Sequence, residues 1–535
     1  MSQVRSGLKH GTLMSTDLDE VVAAVVQAAI GMPPPRRPWL EPLGERLLWS
    51  SAGVETTPEL APLPFGLHDL PHQQRQSAAT FDLHRDGHLF FVGAPASGRT
   101  QCLLTLAGSV AELARVDKVH LYAIDDGAGG LRALEMLPHC GAVVAREEFH
   151  RAVRLLQRLV DELEQRHRNP DPDAPHILVM IDRWEGFVAR CGDASEPFDA
   201  VARVLREGAA VGIHLVITGD RTLLAHQRVS AATDLKYILR LTDVADYQLA
   251  GLSVRRGSDH PPGRCWGPGA VETQVYLLDD DPRREAQEEA LRNLGELARR
   301  RATGDTRRPF RIDRLPTRVD LGLVRSLLVE GPEPTPVVGV GGDELAALSP
   351  ALERSVFAVI GPPRSGRTSV LMGAAAVFLM GGGEVVVVTA RPQEWNWLAH
   401  EYSRLRIVDG RAVHRAATDV ISDRALVLVD DLEALQSPSL DALLSEAAGG
   451  SAGAFVIIAG GVRAFLGGMR SWQGVLRQAD QGLLLSPRSP HDGDAIGVSL
   501  PRMVVGGPIH PGYGWLHRGG GELLEVATFC NAQAP

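Results

Sequence analysis

The chain has 535 residues, 44% of them hydrophobic and 22% charged, and carries a formal net charge of -10. That is too long for one compact core, and too balanced for a disordered or collagen-like chain despite 56 Gly and 35 Pro. A protein that grips many nucleic-acid phosphates usually carries a basic surplus, at least locally, and this acidic chain shows only short basic clusters, which argues against such a partner.

The apolar residues 21–30 have the look of a signal-peptide core, but Asp17, Asp19 and Glu20 precede them, where such a peptide needs positive charge. Ser15 or Thr16 reads better as the N-cap of an amphipathic helix that the "MPPP" at 32–35 ends. The segment "RRPWLEPL" (36–43) is extended and proline-flanked, and a loose stretch continues to about Pro64. No run reaches 18 unbroken apolar residues, so no membrane span is expected. From Phe65 the pattern becomes α/β, with strand-length runs at 88–92, 119–124, 177–181, 213–218 and 271–278. Between them, Val153, Leu156, Leu159, Val160 and Leu163 recur at helical spacing over 149–167. Strands alternating with helices predict a mainly parallel sheet covered on both faces.

A charged stretch at 281–309 reads as a closing helix plus linker, and its clusters Arg299–Arg300–Arg301 and Arg307–Arg308 as a solvated face. A second α/β pattern begins near Ile312, with strands expected at 337–340, 356–360, 385–389, 425–429 and 454–459 and a final hairpin in "GYGWLHRGGGELLEVA". The divisions expected are a lead at 1–62, a first domain at 63–285, a linker at 286–311 and a second domain at 312–535. The five cysteines, Cys102, Cys140, Cys191, Cys265 and Cys530, lie far apart with no Cys-x-x-Cys, which suggests neither a zinc knuckle nor a disulfide framework and fits a reducing compartment.

Each half contains a glycine loop between a strand-like and a helix-like run. The first comprises Gly93, Ala94, Pro95, Ala96, Ser97, Gly98, Arg99 and Thr100; the second comprises Gly361, Pro362, Pro363, Arg364, Ser365, Gly366, Arg367 and Thr368. Such loops curl so that backbone N–H groups face a β-phosphate, while a cation reaches the β- and γ-phosphates and a hydroxyl ligates Mg2+. Both loops carry arginine where lysine is usual. A later apolar run should end in the carboxylate that holds Mg2+. "HILVMID" ends at Asp182 and "ALVLVDD" at Asp430, which makes Thr100, Asp182, Thr368 and Asp430 the candidate metal residues. The loops start 268 positions apart and these aspartates 248 apart, so the second copy keeps the order of parts over a shorter span.

Hydrolysis also needs a general base directly after that aspartate. Arg183 stands there in the first half, with Glu185 two residues on and expected to aim elsewhere. Asp431, a methylene shorter than glutamate, is the candidate base in the second. Guanidinium binds phosphate as a fork but follows a migrating phosphoryl group poorly. Both sites therefore read as ATP-binding with slow or absent turnover, the second better equipped to retain some. The strand ends "HLVITGDR" and "AFVIIAGGVR" offer Arg221 and Arg463 as sensors of a terminal phosphate.

The chain resembles the FtsK/SpoIIIE-like ATPases, and among them the tandem C-terminal ATPase modules of EccC-type proteins of actinobacterial type VII (ESX) secretion. The residues that carry this are "RRPWLEPL", "LPFGLHDLP", "YAIDDGAGGLRALEMLPHCGAVV", "IDRWEGFV", "GAAVGIHLVITGDR" and "PPGRCW" in the first half, and "VVGVGGDELAAL" in the second. The resemblance implies two tandem RecA-like P-loop domains that bind ATP and Mg2+, within a hexameric or oligomerising assembly. It implies an upstream active ATPase module or split partner chain, secreted protein substrates with signal segments, and a cytoplasmic location recruited to the membrane through a partner. Arg99, Arg367 and Arg183 depart from a hydrolysing pattern. The competing reading is an active DNA-translocating ATPase.

Overall fold

The computed structural model describes residues 16–32, 40–49, 60–192, 195–252, 260–302, 307–328, 333–412, 424–435, 438–448, 454–466, 471–501, 504–506 and 511–529. It contains two sheets with one plan. In the first, the order across the sheet is Arg75–Phe81, Leu63–Leu70, Val271–Leu277, Arg264–Gly267, Lys236–Leu239, Leu89–Val92, Ile213–Gly219, His176–Asp182, Val119–Asp125 and Cys140–Ala145. The second repeats it: Ala346–Leu348, Gly339–Gly341, Leu523–Ala527, Tyr513–His517, Gly482–Leu485, Val356–Ile360, Phe455–Gly460, Leu426–Asp430, Val385–Thr389 and Leu405–Asp409. The last six strands of each series pair in parallel, and the first four form an antiparallel extension. The tandem α/β plan expected from sequence is therefore present.

Strand alternation fills both faces. Leu89 and Phe91 enter the core on one side of the first sheet, and Phe90 and Val92 enter the core on the other. Val356, Ala358 and Ile360 divide from Phe357 and Val359 in the same way. Helix Phe149–Arg168 buries Leu155, Leu156, Leu159 and Leu163 against the sheet, at the spacing expected of one helical stripe. The closing helix runs Arg284–Arg301 and packs on the first unit, with Leu291 in its core.

Several details differ from the sequence reading. The first helix is Asp17–Ala28, with Thr16 as its N-cap in a capping box with Asp19. It ends before the prolines, in a turn where Gly31 takes φ 90°. Within the stretch read as loose, Leu47–Leu48 pairs in parallel with Tyr276 and Leu277. Residues 36–39 of "RRPWLEPL" lie outside the described residues, whereas Leu43 is buried and its carbonyl accepts from Arg264. Four strands are additional to those expected: Cys140–Ala145 and Leu405–Asp409, whose apolar runs are broken by Gly141 and Arg406, and Lys236–Leu239 and Gly482–Leu485, of four residues each. The final hairpin pairs Tyr513–His517 with Leu523–Ala527. No helix among the described residues is long and apolar enough to cross a membrane.

Candidate functional site

Both glycine loops leave the central parallel strand of their sheet and enter a buried helix, Arg99–Leu113 or Arg367–Met380. The backbones match. Ala96 and Arg364 take φ 60° and 66°, and Gly98 and Gly366 take 103° and 100°. Only the glycines need no Cβ there at little cost; the other two hold a conformation L-residues rarely adopt. Gly98 and Gly366 are the N-caps and supply no capping side chain, so the first N–H groups of each helix remain open to an anion. The hydroxyls of Ser97 and Ser365, 1% and 0% exposed, have no hydrogen-bond partner among the described residues.

The candidate metal residues are brought together. Thr100 Oγ1 donates to Asp182 Oδ2 at 2.9 Å, and Thr368 Oγ1 to Asp430 Oδ1 at 3.0 Å. Asp182 also accepts from Thr218 Oγ1 at 2.6 Å. Burial pushes the Asp182 carboxyl up, against the pull of the two threonine hydroxyls. Asp430 is pushed up to about 6, chiefly by burial and then by Asp431 beside it. In sheet register the position of Thr218 is taken by Ala459, so this second hydroxyl is missing from the second half. Among the described residues no three His, Cys, Asp or Glu side chains form a metal site by themselves. A cation here would share its ligands with a phosphate.

Glu185 corrects the sequence reading. Arg183 and Asp431, directly after the strand-ending aspartates, both adopt left-handed φ, 66° and 57°. That turn restarts the chain as a helix and swings the residue two further on back toward the loop. Arg99 Nη1 donates to Glu185 Oε1 at 3.0 Å, while the other carboxylate oxygen accepts from the Asp220 amide at 3.2 Å. Glu433, which the sequence reading did not single out, repeats this. It accepts from Arg367 Nη1 at 2.8 Å and from the Gly461 amide at 3.1 Å. The shared signal is a glutamate three positions after each strand-ending aspartate.

Asp431, the candidate base, is held in two ion pairs: it accepts from Arg367 Nη2 at 3.1 Å and also from Arg391. The strand-end arginines do not enter the sites. Arg221 faces Asp246 at 3.7 Å with its side chain 67% exposed. Arg463 is exposed, and neither residue lines the cavity beside its loop. The strand-end residues that do meet the site are Asp220 and Gly461, through their amides.

A cavity of about 610 Å³ opens beside the first loop, lined by Gly98, Arg99, Thr100, Asp182, Arg183 and the turn Pro261–Pro262–Gly263, among others. One of about 730 Å³ opens beside the second, where Gly366, Arg367, Thr368, Asp431, Pro511 and Gly512 contribute. The two Pro-Gly turns are equivalent, each leading into the strand that ends with or contains Trp266 or Trp515. The spacing P-G-x-x-W in both halves was a readable signal for this wall. Open helix N-termini, orphaned serine hydroxyls, threonine–aspartate pairs and cavities of this size all fit a magnesium-bound nucleoside triphosphate.

Comparison with known proteins agrees. Residues 62–246 match the FtsK/SpoIIIE family. ESX-3 secretion system protein EccC3 of Mycobacterium tuberculosis is 28% identical over 363 residues, which is 63% of this chain and 26% of that protein. The chain spans less than half the length of the curated relatives named for type VII or ESX secretion. The structure of EssC (ATPases 2 and 3) from Geobacillus thermodenitrificans superposes with a TM-score of 0.68 at 18% identity, covering 92% of this chain and 99% of that one. Thermomonospora curvata EccC (ATPases 2 and 3), in complex with a signal sequence peptide, gives a TM-score of 0.60 at 19% identity over 93% and 97%.

Proposed function

We propose that this chain, which matches the FtsK/SpoIIIE family over residues 62–246 and is similar in sequence to EccC3 over 63% of its length and in fold to EssC over 92%, uses its two cavities to hold ATP with Mg2+ and turns it over slowly or not at all. The observation that carries this is duplication with the base left out. The same loop, threonine–aspartate pair and arginine–glutamate pair are built twice. Yet the residue after the aspartate is an arginine in one half and a doubly paired aspartate in the other.

In this reading Thr100 with Asp182, and Thr368 with Asp430, hold the metal, and the loop amides with Arg99 or Arg367 hold the phosphates. Bound Mg2+ triphosphate supplies a terminal phosphate that a positioned water could attack. The protein binds and orients that group and, without a free carboxylate beside it, leaves the water undirected. Nucleotide then serves to fix the shape of each unit. The units act as regulatory and substrate-docking modules on the cytoplasmic side, alongside an upstream ATPase module or split partner chain in an oligomeric assembly. The EccC structure holding a signal sequence peptide supports secreted proteins as the docked substrates.

The test is equilibrium binding of labelled ATP with Mg2+ to the full chain, followed by phosphate release with and without DNA. Two bound nucleotides per chain with no turnover is the expected result. Release that DNA accelerates would replace this reading with that of a DNA translocase, and no binding at all would leave only a scaffold.

A further inference from the structure

We propose that the residue directly after the strand-ending aspartate sets how many phosphates each cavity prefers, with Arg183 acting as a terminal-phosphate ligand in the first unit and Asp431 opposing one in the second. The inference rests on reading both cavities as nucleotide sites and says which nucleotide each one keeps.

The two positions are one seat occupied by opposite charges. Each follows the last residue of its strand, each is left-handed, with φ 66° and 57°, and each lines the cavity beside its loop. A non-glycine residue in that conformation is costly and persists where its surroundings impose it. Here the backbone is held by Thr218, whose hydroxyl accepts from the Arg183 amide at 3.0 Å. The turn leaves each side chain on the wall of its cavity. A Cβ on Gly127 would lie 3.1 Å from Asp182 Oδ2 and 3.3 Å from Arg183 Cδ, so the Arg183 stem and the candidate metal carboxylate border the same glycine, and all three line the cavity.

The partners differ as much as the charges. Glu185 is already committed to Arg99 and to the Asp220 amide. It also forms an ion pair with Arg183 Nε at 3.7 Å, too long for a hydrogen bond. The Arg183 side chain is 43% exposed, and among the described residues none accepts a hydrogen bond from its guanidinium. A half-exposed cation lining a cavity, held by one loose ion pair and no hydrogen bond, can turn to an incoming anion, and a guanidinium meets phosphate oxygens as a fork. In the second unit the corresponding charge is negative, and it also draws on the loop cation: Arg367 gives one nitrogen to Asp431 and another to Glu433. Arg391, which also lines this cavity, is likewise drawn to Asp431 and Glu394, so a terminal phosphate there would face a carboxylate and two arginines already committed to other carboxylates. A diphosphate, ending one phosphate earlier, would avoid most of that conflict.

Titrations of the full chain with Mg2+–ATP and with Mg2+–ADP decide the matter, run on the unsubstituted protein and on Arg183→Ala, Arg183→Lys and Asp431→Asn. The charge-assisted bonds at stake correspond to about tenfold or more in affinity. Arg183→Ala should weaken ATP at one site by about tenfold or more while moving ADP by less than about threefold, and Arg183→Lys should recover most of the loss. Asp431→Asn should strengthen ATP relative to ADP at the other site. Equal losses for both nucleotides, or no change in either, overturn the proposal while leaving nucleotide binding intact. If the unsubstituted chain binds neither nucleotide, the reading of the cavities fails and this proposal with it.

Discussion

Arg99 keeps 7% of its side chain exposed and meets Glu185, itself 24% exposed, at 3.0 Å. Removing one partner of a buried pair strands the other charge, at a cost of about 3 kcal/mol; the partial exposure of Glu185 lets water screen this to about 2 kcal/mol. Glu185→Ala should therefore lower the stability of the first unit by about that amount in chemical denaturation, and the pair Arg99→Met with Glu185→Leu should recover most of it. A double-mutant cycle with no coupling between the two positions would show that they do not act as a pair. The sequence marked Arg99 because loop cations sit at a fixed spacing from glycines. It could not mark Glu185, because that contact depends on one dihedral at Arg183 that no propensity scale assigns to arginine. The same limit explains Arg221 and Arg463: a strand end can be located from its apolar run, but which of the next few side chains turns inward is set by the cap that follows. At the first of these ends Asp220 caps the short helix Arg221–Ala225 and leaves Arg221 facing outward.

At the scale of elements, each loop is braced by a Pro-Gly turn from the far end of its own unit, and the two braces are unequal. A Cβ on Gly98 would sit 2.7 Å from the Gly263 backbone nitrogen, whereas one on Gly366 would sit 3.8 Å from that of Gly512. Both glycines have φ near 100°, so alanine is strained in each by a similar amount. Only the first substitution adds a collision with backbone, which cannot rotate aside as a side chain can. Gly98→Ala should thus cost about 2 kcal/mol more than Gly366→Ala in unfolding free energy, with a correspondingly greater loss of nucleotide binding at its site. Equal costs in the two variants would mean the Pro-Gly turn yields freely. This wall is marked in the sequence only by the repeated P-G-x-x-W spacing and not by apolar runs, because it is assembled from strands of the antiparallel extension. Parallel strands in the middle of the second sheet announced themselves as unbroken apolar runs, Val385–Thr389 and Val356–Ile360 at the expected bounds. Lys236–Leu239 and Gly482–Leu485, which join the parallel core to that extension, are four residues each and carry too short a pattern to separate from loop.

The two units are joined by more than a tether. Phe310 stacks on Tyr122 with ring centroids 4.3 Å apart, under the guanidinium of Arg158 at 5.2 Å from its ring. Arg151 donates to the carbonyl of Ile312 at 2.7 Å. Arg154 reaches across to the carbonyl of Gly342 at 2.6 Å, and His150 packs edge-on against Trp515 at 5.1 Å. The helix Phe149–Arg168 therefore presents its apolar stripe to its own sheet and its basic side to the next unit, and the repeat is stacked through it. Ile312, where composition placed the start of the second unit, is wholly buried in the core of the first. Truncating it removes three buried carbons from a packed site, worth about 3 kcal/mol. Ile312→Ala should consequently destabilise the first unit, although the residue reads from sequence as part of the second. Amide exchange would locate the effect: faster exchange in Val119–Asp125 and Cys140–Ala145, with Val385–Thr389 unchanged. Loss of protection confined to the second sheet would place the boundary before this residue and make residues 307–316 a passive linker. If the first sheet responds, the segment 307–316 is a strap by which one unit holds the other, and a nucleotide-dependent change in either cavity has a rigid path along which to move its neighbour.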